Sequence, residues 1–191
     1  MSDRIWRCRC GAVQATVAQV PQSGVPAVCY CTDCRAFARL HGAADTLDPA
    51  GGVALYSTTS DRLRTLQGAE HLGCQRLTRR GPLRWFTTCC DTPLGNTAPF
   101  RGVPFFSLMT AGLEDAPKPR VRLHRGSATG RVPRPHGSLY ALALGVARRV
   151  LASRLSGRWR ETPFFDADGR PVSKPGRPDQ DDLRLAYGAR T

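Results

Sequence analysis

Seven of the eight cysteines in this chain have another cysteine within three residues. They form Cys8-Arg-Cys10-Gly11, then Cys29-Tyr-Cys31-Thr-Asp-Cys34-Arg35, then the adjacent pair Cys89 and Cys90, and Cys74 stands alone. Thiols this close can converge on one ion, because a thiolate-bound zinc takes four soft ligands at about 2.3 Å in a tetrahedron. Such near neighbours rarely bridge to each other, since a disulfide needs its two Cα atoms several ångströms apart with suitably directed side chains. Softness and spacing therefore name zinc as the expected cofactor, with iron the weaker option. Cys29, Cys31 and Cys34 supply three ligands from one turn. The fourth position is left either to water, a substrate thiol or a distant residue, as in a reactive site, or to a closing thiolate such as Cys74, as in a structural one.

A chain of 191 residues can bury a real core. Its first residues contain no apolar leader segment, and its longest apolar stretch, 139–147, is far short of the roughly 20 residues that span a bilayer. No membrane span and a reducing, cytoplasmic setting are the expectation, which suits metal-holding thiolates. The net charge is +13, and it is unevenly placed: residues 1–116 carry 12 Lys/Arg against 9 Asp/Glu, whereas 117–191 carry 16 against 6. A basic half can serve nucleic acid or another anionic partner, with solvated surface as the alternative.

The fold class expected is mainly β, with antiparallel sheets around the metal sites, a C-terminal helix and an irregular extension. Strand composition marks 12–18, 53–57, 72–78 and 83–88, and 32–41 reads as a short helix ended at Gly42. Two regions follow: 1–114 as the zinc-binding β domain, and 115–191 as a connector, an amphipathic helix and a Pro/Arg-rich tail packed on it. Val121–Arg125 is a candidate last strand. Ser138 is placed to cap a helix carrying Leu139, Leu142, Ala143, Val146 and Val150 on one face and ending near Gly157. The segment 171–182, rich in proline and charge, is expected to be partly disordered.

The order of motifs resembles the glutathione-dependent formaldehyde-activating enzyme family, which includes centromere protein V. The pieces are Cys8-Arg-Cys10-Gly11-Ala-Val13, the second cysteine cluster, and Cys90-Asp-Thr-Pro-Leu94 after an aromatic strand, within residues 6–98. The resemblance implies a β-tent fold with two zinc sites. It assigns Cys29, Cys31 and Cys34 to a catalytic zinc and Cys8, Cys10 and Cys90 to a structural one. It also implies carbon–sulfur lyase chemistry of the S-hydroxymethylglutathione synthase type, with a small thiol such as glutathione as substrate. The sequence departs from the family's Cys-x-x-Cys-Gly-Thr-Pro-Leu at Thr87, which takes the first ligand position, and at Asp91, which takes the glycine. Cys89 beside Cys90 is the favoured replacement ligand if the backbone bends; Cys74 is the other.

Arg35, directly after the second cluster, is the candidate clamp for a substrate carboxylate, because guanidinium pairs bidentately with carboxylates. Asp33 either starts the helix or supports the cluster by a hydrogen bond. His41, His71, His124 and His136 have no ligand-like spacing to the thiols or to each other. Three functions remain open: a zinc-dependent lyase acting on a thiol–aldehyde adduct, a zinc-stabilised binding module with an arginine-rich surface, and a thiol-based redox or metal sensor.

Overall fold

The computed structural model describes residues 2–188. Ten strands and three helices follow one another as β1 (Ser2–Arg7), β2 (Gln14–Val20), β3 (Val25–Cys29), α1 (Thr32–Leu40), β4 (Val53–Thr59), β5 (Leu63–Gln67), β6 (Leu72–Gln75), β7 (Leu83–Thr87), β8 (Thr92–Thr97), β9 (Phe105–Met109), β10 (Val121–Leu123), α2 (Leu139–Leu155) and α3 (Gln180–Tyr187). Three strands form one sheet in the order β1-β2-β5, and seven form the other in the order β10-β3-β4-β9-β8-β7-β6. Neighbours in both are antiparallel except β10, which joins the edge of the larger sheet in parallel beside β3. The mainly β class with a C-terminal helix is what the sequence composition indicated.

Alternation in the strands sends one set of side chains inward. Trp6, Val17, Leu63, Trp85, Leu94 and Phe106 from the two sheets join one buried cluster, and each is at most 2 % exposed. Five of the strands, β1, β3, β5, β8 and β9, are not marked by sequence composition. The pair Phe105 and Phe106 belongs to β9, the middle strand of the larger sheet, and so to the β body. Phe164 of the extension packs onto it: it is fully buried, with its ring centroid 4.8 Å from Trp85 and 4.7 Å from Phe106.

Helix α1 begins where the Cys31 sulfur accepts the N–H of Cys34 as an N-cap. It buries Ala36, Phe37 and Ala38 in a second cluster with Cys29, Val53, Leu55 and Met109, and it stops short of Gly42, whose φ of +59° suits glycine. Helix α2 is capped by the Ser138 hydroxyl accepting the Ala141 N–H at 3.1 Å and is followed by Gly157 at φ +78°, as the sequence indicated. Its inward face is only half-buried at Leu142, Val146 and Val150, and Leu139 and Ala143 are exposed.

The tail corrects an expectation. The segment 171–182 is ordered: Gly176 donates to the Cys74 carbonyl at 2.9 Å and accepts the Arg76 N–H at 3.0 Å, which covers the free edge of β6. Helix α3 then packs on α1 through Leu183 and Ala186. An unpaired strand edge offers a row of donors and acceptors, and that backbone demand holds a segment of weak hydrophobicity in place. Among the described residues no helix is long and apolar enough to cross a membrane.

Candidate metal centres

The first centre is built by two turns. After β1 the chain folds back at Cys8-Arg-Cys10-Gly11, where Gly11 adopts φ +77° and the Val13 N–H points at the Cys8 sulfur at 3.2 Å. Between β7 and β8 the chain turns through 88–91, with Asp91 at φ +56° in the place where the resembled family has glycine. Because this stretch is a turn and not an extended strand, Cys89 and Cys90 reach the same side. The four sulfurs of Cys8, Cys10, Cys89 and Cys90 lie within 4.8 Å of one another.

A tetrahedron with arms of about 2.3 Å has edges of about 3.8 Å. The separations are 3.6 Å for Cys8–Cys10, 3.8 Å for Cys8–Cys89, 3.5 Å for Cys10–Cys89 and 3.8 Å for Cys89–Cys90. These four separations match the edges of one tetrahedral site, so the donor set could hold one ion. Cys74 is not part of it: it lies buried in the hydrophobic cluster, where desolvation pushes its thiol up to about 12.

Four neighbours support this centre, and no local spacing in the sequence pointed to any of them. The Thr87 hydroxyl lies 3.5 Å from the Cys90 sulfur and accepts the Thr92 N–H at 3.2 Å, and the Thr92 hydroxyl is 3.1 Å from the same sulfur. Burial works to raise the Cys90 thiol, but these hydroxyls bring it down to about 5. Arg9, between the first two ligands, donates to the carbonyls of His41, Gly42, Cys90 and Asp91 at 2.9–3.1 Å. His41 is buried with Nδ1 2.6 Å from Asp91 and Nε2 2.9 Å from the Gln75 amide. Burial keeps its pKa below the usual value although Asp91 works the other way. His41 thus joins the end of α1 to the turn that carries Cys90. His71 is half-buried, and His124 is exposed on a left-handed turn.

The second centre gathers Cys29 at the end of β3, Cys31 at the cap of α1 and Cys34 in its first turn, again with all sulfurs within 4.8 Å. Cys29 and Cys31 are 3.4 Å apart. Hydrogen bonds from Cys29 and Cys34, with the Cys34 N–H at a helix N-terminus, hold the Cys31 thiol far below its ordinary value. Its neighbours move the other way. Cys29 rises because it gives its hydrogen to Cys31, and Cys34, although lowered by Cys29, is pushed by Cys31 and burial up to about 11.

Arg35 is not exposed beside these sulfurs. It is 8 % exposed and spends its guanidinium on the carbonyls of Ser127 at 3.2 Å and Gly51 at 3.5 Å, tying two loops together. The guanidinium against the thiols belongs to Arg84 of β7, 3.9 Å from the Cys34 sulfur and 3.8 Å from Asp33. Its carbon also sits 5.4 Å from the Phe37 ring centroid. Asp33 accepts the Tyr187 hydroxyl of α3 at 2.9 Å. Burial and Asp33 push that phenol up to about 12. Arg84 and Tyr187 come from strands and helices remote in sequence, so no local motif announces them.

Comparison with known proteins adds one decisive match. A family model described as a family of unknown function, DUF6151, matches residues 2–116. The chain belongs to this family. The DUF6151 region contains all eight cysteines and ends ahead of β10, α2 and α3. No curated protein matches the chain. Among solved structures it is similar to a Rhodobacter sphaeroides protein determined in a structural genomics programme, with 22% identity, a TM-score of 0.42, and coverage of 59% of this chain and 90% of that one.

Proposed function

We propose that this DUF6151 protein holds two zinc ions, one structural at Cys8, Cys10, Cys89 and Cys90 and one reactive at Cys29, Cys31 and Cys34, and that the second promotes addition of a small thiol such as glutathione to an aldehyde. The observation that carries the reading is the difference between the two donor sets: four sulfurs gather at the first centre and three at the second, one fewer than a closed tetrahedral thiolate site needs. The motif resemblance to the formaldehyde-activating family supports it further. A zinc ion bound there would supply Lewis-acid polarisation and a soft position for a substrate thiolate.

The chain's own groups have distinct tasks in this reaction. Cys31, at the cap of α1, joins the strand-end Cys29 to Cys34 of the first helical turn. Arg84, itself buried, places a fixed cation beside the cluster, where it offsets the accumulated sulfur charge. Asp33 and Tyr187 hold that guanidinium in register. Phe37, Phe86 and Leu183 belong to the surrounding cluster and limit water. In the reaction the substrate sulfur attacks the carbonyl carbon, a C–S bond forms as the carbonyl π bond breaks, and the oxygen takes up the proton that the thiol released.

Cys31→Ser tests this directly. Native mass spectrometry should show one zinc where the parent holds two, with an unchanged far-UV spectrum. Exchange of glutathione with formaldehyde, followed by NMR, should be accelerated by the parent and not by the variant. Unfolding of the variant would assign this cluster to structure, and an unchanged exchange rate would remove the lyase reading.

A further inference from the structure

On the side of the molecule formed by α2 and the turn between β2 and β3 lies a cavity of about 130 Å³ whose walls include Arg62, Arg149 and Arg158. The three arginines arrive from different parts of the chain: Arg62 after β4, Arg149 within α2, and Arg158 just beyond it. One carboxylate organises two of them. Asp61, whose side chain is only 1 % exposed, accepts the Ser153 hydroxyl at 2.7 Å, and its Oδ2 lies 3.3 Å from the Arg158 Nε and 3.8 Å from the Arg62 Nε. The Arg158 guanidinium is thus held by its inner nitrogen, and that of Arg62 lies within ion-pair range of the same carboxylate. Arg62 gives one outer nitrogen to the Gln19 side chain at 2.8 Å, and Arg149 is set by the carbonyls of Gly145 and Gln22 at 2.8 and 2.9 Å.

One carboxylate against three guanidinium groups leaves two positive charges around a small cavity. Its volume equals roughly four waters at about 30 Å³ each, room for a single tetrahedral oxyanion and not for a nucleoside. Directly along the chain, Trp159 carries the carbons of Arg101, Arg154 and Arg160 at 5.3, 4.8 and 4.6 Å from its ring centroid, so the positive surface continues past the cavity. We propose that this cavity is an anion site that receives a phosphate group, either of a free phosphate compound or of a nucleic-acid backbone that continues over the Trp159 arginines. Guanidinium groups pre-set by a buried carboxylate lose little freedom on binding, and a dianion satisfies the uncompensated charge. The site is separate from both thiol clusters. Two of its three arginines lie beyond the residues that match the family.

Calorimetry at low salt with two probes tests it: inorganic phosphate and a 5′-phosphorylated single-stranded oligothymidylate. Phosphate should saturate at one per chain, and Arg149→Gln and Arg158→Gln should each weaken it about tenfold or more. Arg149 touches only backbone carbonyls, so its variant decides if loss of Arg158 strands Asp61 and harms folding. Oligonucleotide binding that exceeds phosphate binding and weakens steeply with salt assigns the group to nucleic acid; equal affinity for the two probes assigns it to a free phosphate compound. Absence of saturable phosphate binding up to about 10 mM, or binding that Arg149→Gln retains in full, overturns the site.

Discussion

Thr87 stands where the family that the cysteine motifs resemble has a metal ligand, and its surroundings show what it does in this chain. The side chain is fully buried, its hydroxyl is shared between the Cys90 sulfur and the Thr92 amide, and the fourth sulfur of the cluster is that of Cys89 two residues on. The threonine supports the thiol cluster from beside it. Thr87→Val keeps the shape and β-branching but leaves the Thr92 N–H without its acceptor. A buried amide left unpaired costs about 1–3 kcal/mol, and loss of a supporting donor weakens metal binding by about 10–100-fold. Urea denaturation and chelator competition should register both effects. Unchanged metal affinity would mean that the Thr92 hydroxyl alone holds Cys90 in its anionic form.

At the scale of elements, the parts legible in the sequence are those whose signal is local. Cysteine spacing gave both thiol clusters, Gly42 and Gly157 gave helix ends, and Ser138 gave the start of α2 within a residue. Strands β1, β3, β5, β8 and β9 were not legible from local composition: β8 reads Thr-Pro-Leu-Gly-Asn-Thr, and only its pairing with β7 and β9 makes it a strand. Arg35 illustrates the same limit within the site. Its position next to Cys34 suggested a substrate clamp, but one helical step turned it toward Gly51 and Ser127, while Arg84, fifty residues away, came to the sulfur. Long-range placement also governs the extension. Phe164 fills the gap between Trp85 and Phe106, so Phe164→Ala should cost about 3–5 kcal/mol, as deletion of a buried aromatic does. A loss below about 1 kcal/mol in chemical denaturation would mean that 115–191 docks loosely and that the β body carries its own stability.

For the molecule as a whole, the two centres occupy unequal positions in the topology. Cys8 and Cys10 follow the first strand of the small sheet, whereas Cys89 and Cys90 lie between two strands of the large one, so an ion at this centre closes a loop of 81 residues and fastens sheet to sheet. Cys29, Cys31 and Cys34 all belong to one strand end and one helical turn, so an ion there closes only a local loop. Metal affinity for structural thiolate sites, about 10–16 kcal/mol in small peptides, is folding energy, and it is as large as the roughly 5–15 kcal/mol that holds a whole domain together. Stepwise addition of a chelator should therefore release metal in two stages. The first equivalent leaves the three-sulfur centre with the far-UV spectrum intact. The second leaves the four-sulfur centre together with the β signal, in one cooperative loss. The Cys31→Ser variant should show the second stage alone, which fixes the assignment. Loss of β structure with the first equivalent would place the fastening at the helix cap, and a fold that survives both would show that the Trp6, Trp85 and Phe106 core holds the sheets together unaided.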